Sequence, residues 1–288
     1  MDPKTKRLAP WFLSAPGLIV FCIMLIFPLG LTAVLSFRVF DGMFGVQEAF
    51  TINNYLEVIL DPYYHEIFLR TGLMSLGVTL LCILIGIPET LILSRMKSSW
   101  KSFFLVIILA PLLISVVVRT LGWSILLGTN GLINDTLLFL GIVDEPVTLL
   151  FTMTGLIIAL THVMVPFMVI SVWASLQKLD PQIENAGLSL GAKPSVVVRR
   201  IIFPQILPGV LSGSIIVFAM SASAFATPAL LGGRRLKVVA TAAYDEFLST
   251  LNWPLGAAIA VVLLIVNIII IFGSNQLIER KYKQIFRS

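Results

Sequence analysis

Few side chains in this sequence could act as acids, bases, nucleophiles or metal ligands. The two histidines and two cysteines of the 288-residue chain are far apart and form no CxxC pair: His65, His162, Cys22 and Cys82. This spacing indicates neither a metal centre nor a disulfide framework. An intramembrane enzyme would need a nucleophile with its base, or metal ligands, clustered at depth. His162 has no acidic neighbour in sequence, so we expect no enzyme activity.

The sequence also lacks a loop that could hold nucleotide phosphates. The pattern GxxxxGK[ST] does not occur, and the dipeptide Gly-Lys is absent altogether. In a P-loop, the backbone N–H groups surround the phosphates and the lysine reaches them. If ATP drives a process here, a separate polypeptide must hydrolyse it. We therefore expect no cofactor in this chain, with ATP and magnesium held by a partner.

Long apolar helices must position the polar residues that remain. Hydrophobic residues make up 58% of the chain and charged residues 12%, which is too apolar for a soluble domain of this size. Runs of about 18 or more nearly uncharged residues can cross the hydrocarbon only as helices. The sequence predicts an all-α membrane protein, a single domain over 1–288. Six transmembrane helices are predicted near 11–36, 67–93, 103–127, 149–176, 209–231 and 253–277.

The placement of basic residues orients these spans. Of the 20 lysines and arginines, 14 lie in the two termini and in the two loops that six spans would place on the same side. Loops rich in lysine and arginine stay in the cytoplasm. Both termini and the polar segment 177–208 are therefore predicted to be cytoplasmic.

The segment 177–208 has the pattern of two helices joined by a glycine turn. Asp180, followed by proline, is typical of a helix start. Gly191 can end that helix in the left-handed conformation, and Pro194 can begin a second helix. Two prolines are predicted to end the unit: Pro204 and Pro208.

This segment resembles the cytoplasmic signature loop of ABC-importer permeases, EAA-x3-G-x9-I-x-L-P. With Gly191 as the glycine of the motif, the nine-residue gap leads to Ile201. The triplet departs from the pattern, because Asn-Ala-Gly stands in its place and the nearest carboxylate lies one residue early. In that family the loop docks into a groove on a separate ATPase subunit. The resemblance implies a coupling role for Glu184, Asn185, Ala186, Gly187, Gly191, Ile201, Phe203 and Pro204.

The resemblance covers most of the chain. Asn53-Asn54-Tyr55, the stretch from Pro111 to Arg119, 227–233 and 252–256 are similar to spermidine/putrescine-type (PotB-type) permeases. This likeness implies a type I ABC-importer permease of the bacterial inner membrane that moves small polar solutes, polyamines first. An opine, an amino acid or an inorganic ion remains an alternative solute. An ion-coupled carrier or channel is a further alternative, although the paired charges or broken helices of matching halves are not found.

The same likeness implies the partners. They are two copies of an ABC ATPase, a second related permease in a heterodimer rather than a homodimer, a periplasmic or extracellular solute-binding protein, and membrane lipid. Nucleic acid is not among them, because membrane topology accounts for most of the basic residues.

Eight side chains are candidates for the solute path or for docking of the binding protein. They are Arg119, Trp123, Ser221, Ser223, Thr227, Tyr244, Asp245 and Glu246. A charge buried in the outer half of a span, as predicted for Arg119, is either paired or faces a cavity. Trp123 could line the outer mouth or lie in the interfacial aromatic belt.

For the remaining candidate residues, a structural role is an alternative to a role in the solute path. The hydroxyls near the fifth span accompany alanine and glycine, which favour close helix packing, so they serve a path only if they face water. Asp245 and Glu246 could attract a cationic solute or form a docking surface. Glu89, near the inner end of the second span, could snorkel or cap a helix, and His162 is expected to be structural.

Overall fold

Long helices dominate the computed structural model, which describes residues 3–233 and 235–285. Within those residues, five helices are long and apolar enough to cross a membrane, and a bent pair of shorter helices makes a sixth candidate. The predicted helical membrane class is confirmed. The helices are α1 Pro3–Leu35, α2 Asn53–Leu60, α3 Pro62–Arg95, α4 Ser98–Leu113, α5 Val116–Leu126, α6 Leu132–Phe139, α7 Met153–Leu176, α8 Pro181–Ser189, α9 Pro194–Val197, α10 Phe203–Ala222, α11 Ala226–Leu231, α12 Val239–Leu248 and α13 Trp253–Ile285.

Internal contacts divide the chain into two units. The first contains Met1–His65 and Ala242–Leu264, and the second contains Glu66–Thr241 and Ile265–Ser288. The prediction of a single domain over 1–288 stays a prediction.

In the first unit, a β-hairpin follows α1. Its strands, β1 Arg38–Asp41 and β2 Gly45–Phe50, pair antiparallel. At the turn, the Asp41 carboxylate accepts backbone N–H bonds from Met43 and Phe44, and these bonds lower the pKa of Asp41. The short helix α2 follows the hairpin. The hairpin was not foreseen from the sequence because its strands are short and irregularly patterned.

Asn54, in the motif shared with the spermidine/putrescine-type permeases, is a buried structural residue. Its side-chain nitrogen donates to the carbonyl oxygens of Ser36 (2.8 Å) and Arg38 (2.9 Å). The hydroxyl of Tyr55 lies 2.6 Å from that of Ser36. These bonds satisfy backbone carbonyls where the chain passes from α1 into the hairpin, so they fix the start of α2 against it.

In the second unit, α7 lies between α3 and α10 and is the most buried of the candidate spans. Glycines allow both contacts. A Cβ added at Gly86 of α3 would lie 2.8 Å from Cγ of Met168 on α7. On α10, Gly209 and Gly213 are spaced four residues apart and rest against Ser171 and Met168. The small residues of the predicted fifth span therefore serve close helix packing, as the sequence indicated.

The predicted third span, 103–127, is not one straight helix. The structure has α4 and α5 in its place, bent by 98° across a break of two residues. Pro111 lies near the end of α4 and cannot donate a backbone hydrogen bond, which weakens the last turn of that helix. The chain is extended at Ile114, and α5 begins at Val116.

The prediction that Pro204 and Pro208 end a cytoplasmic unit is wrong. A π-helical turn, Val198–Ile202, joins α9 to α10, and the apolar helix runs from Pro194 to Ala222. Pro204 lies in the first turn of α10, a position that a proline tolerates well. The predicted span 209–231 therefore begins earlier, ends at Ala222, and is followed by the separate helix α11.

Candidate functional site

The segment 177–208 forms the two helices and the glycine turn that the sequence predicts. The Asp180 carboxylate caps α8 by accepting a bond of 2.9 Å from the backbone N–H of Gln182. Gly191 has a φ of +81°, which glycine adopts without strain. The N–H of Ala192 donates to the carbonyl of Gly187, satisfying an acceptor at the end of α8. Local capping chemistry therefore fixes this geometry.

Gly187 is where the two helices of the segment touch. A Cβ added at this position would lie 2.9 Å from Cδ1 of Ile201 and 3.3 Å from Cγ2 of Val197. Val197 is buried, and Ile201 is half-buried. The absence of a side chain at 187 lets α8 pack closely on the ridge formed by α9 and the π-helical turn.

Four other predicted coupling residues are exposed on the surface of the protein. Asn185 and Ala186 are exposed on α8, and Phe203 and Pro204 are exposed at the start of α10. Leu190 is 89% exposed at the end of α8. An apolar side chain so exposed beside other accessible apolar groups marks a surface suited to a partner.

Glu184, on the same helix, forms an ion pair with Arg95. The Nη2 atom of Arg95, the last residue of α3, lies 3.1 Å from Oε1 of Glu184. Both side chains are partly exposed, so the pair contributes at most about 1 kcal/mol. Its value is positional, since it joins α8 to the end of the second span. The sequence gives no local signal for this pair, whose members are 89 residues apart.

Arg119 and Trp123 of α5 have partners inside the second unit. The buried guanidinium of Arg119 donates through Nη1 to the carbonyl oxygen of Pro111, across the bend between α4 and α5. The indole N–H of Trp123 donates to Nδ1 of His162 at 3.3 Å, and the two rings are 5.6 Å apart. The Nη1 bond therefore pairs one end of the Arg119 guanidinium, whose Nε is buried without a hydrogen-bond partner, and His162 is a structural acceptor for Trp123.

The three hydroxyl candidates bond within the protein. Ser221 is buried and donates to the carbonyl of Val217, and exposed Ser223 donates to Ala219. The Thr227 hydroxyl lies 3.3 Å from that of Thr120. Ser221 and Thr227 thus belong to helix packing, and of these three only Ser223 is exposed.

Tyr244, Asp245 and Glu246 lie on α12, in the first unit. This unit also contains Glu57 and Asp61, at the end of α2. Burial, with the charges of Glu246 and Asp61, raises the pKa of Glu57. The acidic group is therefore larger than the sequence indicated. The sequence did contain a signal for Glu57, because it lies four residues, about one helical turn, before Asp61.

A cavity of about 450 Å³ lies in the second unit, between α3, the α4–α5 pair and α7. Aliphatic side chains and two prolines form most of its wall, and the polar groups are Glu89, Thr161 and His162. Trp123 also lines it. Oε2 of Glu89 is inaccessible to solvent and has no hydrogen-bond partner. Glu89 was not among the predicted path residues, although an acid in an apolar run is a signal of function.

Residues 3–233 and 235–285 contain no candidate metal site, that is, no group of three or more histidine, cysteine, aspartate or glutamate side chains that could hold a metal ion. The described residues thus offer a capped helix pair, an acidic group in the first unit and a cavity in the second unit.

Known proteins with similar sequences are bacterial membrane permeases. The chain is 32% identical over 253 residues to the spermidine/putrescine transport system permease protein PotB of Salmonella typhimurium strain LT2, covering 87% of this chain and 88% of that protein. It is 31% identical to PotB of Escherichia coli K12, covering 85% and 90%. A solved bacterial alginate ABC transporter, in complex with its alginate-pentasaccharide-bound periplasmic protein, matches with a TM-score of 0.79 over 96% of each chain. Its 17% identity makes this a likeness of fold.

A family model settles the relationship. The model of the binding-protein-dependent transport system inner membrane component matches residues 7–284, nearly the whole chain. The predicted identity as a permease subunit rather than an enzyme is confirmed. This chain belongs to the family of inner membrane components of binding-protein-dependent transport systems.

Proposed function

We propose that this permease subunit serves an ATP-driven importer of polyamines of the spermidine and putrescine class. The similarity to PotB over most of both chains is the observation that carries the choice of solute. The acidic group in the first unit supports it, because Glu57, Asp61 and Glu246 repel one another and would attract a cation.

The permease works with partners that supply energy and solute. Two copies of an ABC ATPase bind ATP and magnesium, a second related permease completes the pore as a heterodimer, and a solute-binding protein delivers the polyamine from outside. Both termini and the segment 177–208 lie in the cytoplasm, as the distribution of lysine and arginine favours. The segment then lies on the side where the ATPase hydrolyses ATP.

Coupling proceeds through alternating access. ATP can shift the permease only if the ATPase binds its two conformations with different affinity. Contact between the ATPase and Glu184–Pro204 moves α8, α9 and the π-helical turn together, because Gly187 packs on Ile201. Since the turn continues into α10, the fifth span moves with them.

The coupling role is tested with Gly191→Pro and Ile201→Asp in the complete complex. Both variants should insert in the membrane yet fail to co-purify with the ATPase. Ile142→Asp is the matched control, because Ile142 is exposed in the loop after α6 and should leave the complex intact. Normal co-purification together with solute-stimulated ATP hydrolysis in both test variants would rule out this coupling mechanism.

The solute is tested by uptake into proteoliposomes that contain all subunits and the binding protein. We expect ATP-dependent uptake of labelled spermidine that excess putrescine inhibits. Mass spectrometry of the solute carried by the purified binding protein provides an independent measurement. A non-amine solute in the binding protein, with no spermidine uptake, would refute the polyamine assignment.

A further inference from the structure

We propose that the cavity in the second unit is a binding site for aliphatic ammonium compounds, with the Glu89 carboxylate as the acceptor of the ammonium group. The cavity lies among α3, α4, α5 and α7, and its volume of about 450 Å³ is within the range of sites for small ligands. The further claim that the transported solute occupies this cavity rests on the proposed function. The claim that the cavity binds aliphatic ammonium compounds does not depend on it.

The unpartnered carboxylate oxygen is the central observation. Oε2 of Glu89 is shielded from solvent and makes no hydrogen bond within the part of the chain that the structure describes. A buried acceptor without a partner costs about 1–3 kcal/mol, and more if it is charged. Glu89 also lines the cavity, so a turn of its carboxyl group brings this oxygen to an ammonium group bound there, which supplies both the hydrogen bond and the opposite charge and removes this cost.

The walls match the rest of such a ligand. Leu81, Ile85, Ile107 and Ile158 present aliphatic surface that methylene groups can cover. Among the described residues, Glu89 lines the cavity and no lysine or arginine does. The nearby cation Arg119 is committed through Nη1 to the carbonyl of Pro111. A small aliphatic chain ending in an ammonium group fits this combination better than an anion or a sugar.

A second ammonium group would meet an aromatic wall. Cys82 of α3 contacts the carbonyl of Thr161, the residue before His162, while Glu89 lies two turns further along α3. At 1.5 Å per residue, Glu89 is about 10 Å along the helix axis from the level of His162 and Trp123. The indole of Trp123 can accept a cation on its face. Linear diamines should therefore bind more tightly than monoamines.

The experiment uses the complete permease–ATPase complex in lipid nanodiscs without the binding protein, and labelled putrescine as the probe. We expect saturable binding that butylamine displaces and 1-butanol does not, because only the amine carries the charge. Glu89→Gln keeps the shape of the side chain and should weaken binding about tenfold or more. Glu48→Gln, on the exposed β2 strand, is the matched control and should bind as the unmodified complex does.

A second variant covers the case in which Glu89→Gln does not assemble. Ile107→Trp, at a half-exposed edge of the cavity, fills the space without altering Glu89, and it should also abolish binding. Unchanged binding in Glu89→Gln or in Ile107→Trp, or equal displacement by butylamine and 1-butanol, would overturn the proposal.

Uptake measurements separate this proposal from the proposed function. If the unmodified complex binds putrescine through Glu89 but transports no polyamine, the site stands and the polyamine-importer assignment fails. If polyamine uptake is normal and Glu89→Gln alters neither its KM nor its maximal rate, the assignment stands and the site is refuted.

Discussion

The contact between α10 and α7 should fail when a single methyl group is added at Gly209. In the structure, a Cβ at this position would lie 2.5 Å from the carbonyl oxygen of Ser171 and 2.6 Å from Oγ of Ser175. The carbonyl belongs to the backbone of α7 and cannot move away by a rotamer change. The two helices must therefore separate, or α10 must shift along α7.

The size of the effect follows from that distance. Close carbon–oxygen contacts in proteins are about 3.3 Å or longer, so the helices must move apart by roughly 0.8 Å at the crossing. A gap of that size forfeits about a quarter to a half of the dispersion energy of the contacts it opens. Overpacking of this kind costs about 1–3 kcal/mol, while alanine regains about 1 kcal/mol of helix propensity over glycine.

Gly72→Ala separates the two contributions. Gly72 is also inside a long helix, α3, but a Cβ there would have nothing within 4 Å, so this variant gains propensity without a clash. In detergent-solubilised complex, Gly209→Ala should unfold at a lower temperature than Gly72→Ala, by an amount equivalent to about 1–3 kcal/mol. It should also lower solute-stimulated ATP hydrolysis, because α7 and α10 flank residues 177–202. Equal or greater thermal stability of Gly209→Ala would refute the reasoning.

Three further predictions concern Gly191, the Arg95–Glu184 pair and Glu57. Gly191→Val should cost about 1–2 kcal/mol at its φ of +81° and reduce ATPase co-purification, whereas Gly191→Asn, which tolerates this conformation, should retain it. Arg95→Glu should impair solute-stimulated ATP hydrolysis, and adding Glu184→Arg should restore it if the 3.1 Å ion pair positions α8; no restoration would contradict that role. The pKa of Glu57 is raised in the folded state, so the ionised carboxylate destabilises the fold at pH values above the folded-state pKa. This destabilisation disappears as the pH falls below the unfolded-state pKa of about 4.3. Glu57→Gln should therefore raise the unfolding temperature slightly at pH 7 to 8 and have no effect near pH 4, as measured by thermal unfolding across pH.

The two helices of the segment 177–208 were predictable because their boundaries depend on neighbouring residues. A capping carboxylate at Asp180, a glycine with positive φ at Gly191 and a proline beginning α9 act within a few residues of themselves. The role of Pro204 was not predictable in the same way. A proline can end the helix that precedes it, and it is tolerated in the first turn of a helix that it begins. The effect of Pro204 therefore depends on where α10 begins.

The candidate site was less predictable because its contacts join distant parts of the chain. Arg95 meets Glu184 only because α3 ends beside α8, and the cavity at Glu89 exists only because α4 and α5 bend away from each other. Arg119 shows the same limit. The sequence indicated a buried charge that needed a partner, and the partner is a backbone carbonyl, at Pro111, that carries no signal in residue type.

The continuity of α9, the π-helical turn and α10 determines where the segment 177–208 can bend. The helix from Pro194 to Ala222 has 29 residues, about 43 Å at 1.5 Å per residue, and it continues through the π-helical turn and through Pro204 and Pro208. A force applied at its first turn is therefore passed along one continuous helix, in which the π-helical turn and the two prolines are the places that can bend. Rotation of the chain is possible before it, at Gly191, which lies outside the helices and where an added Cβ would meet nothing within 4 Å. The Arg95–Glu184 pair and the Gly187–Ile201 contact both limit that rotation by holding α8 in place. Coupling would then depend on the stiffness of the turn around Gly191 more than on the triplet that departs from the family pattern.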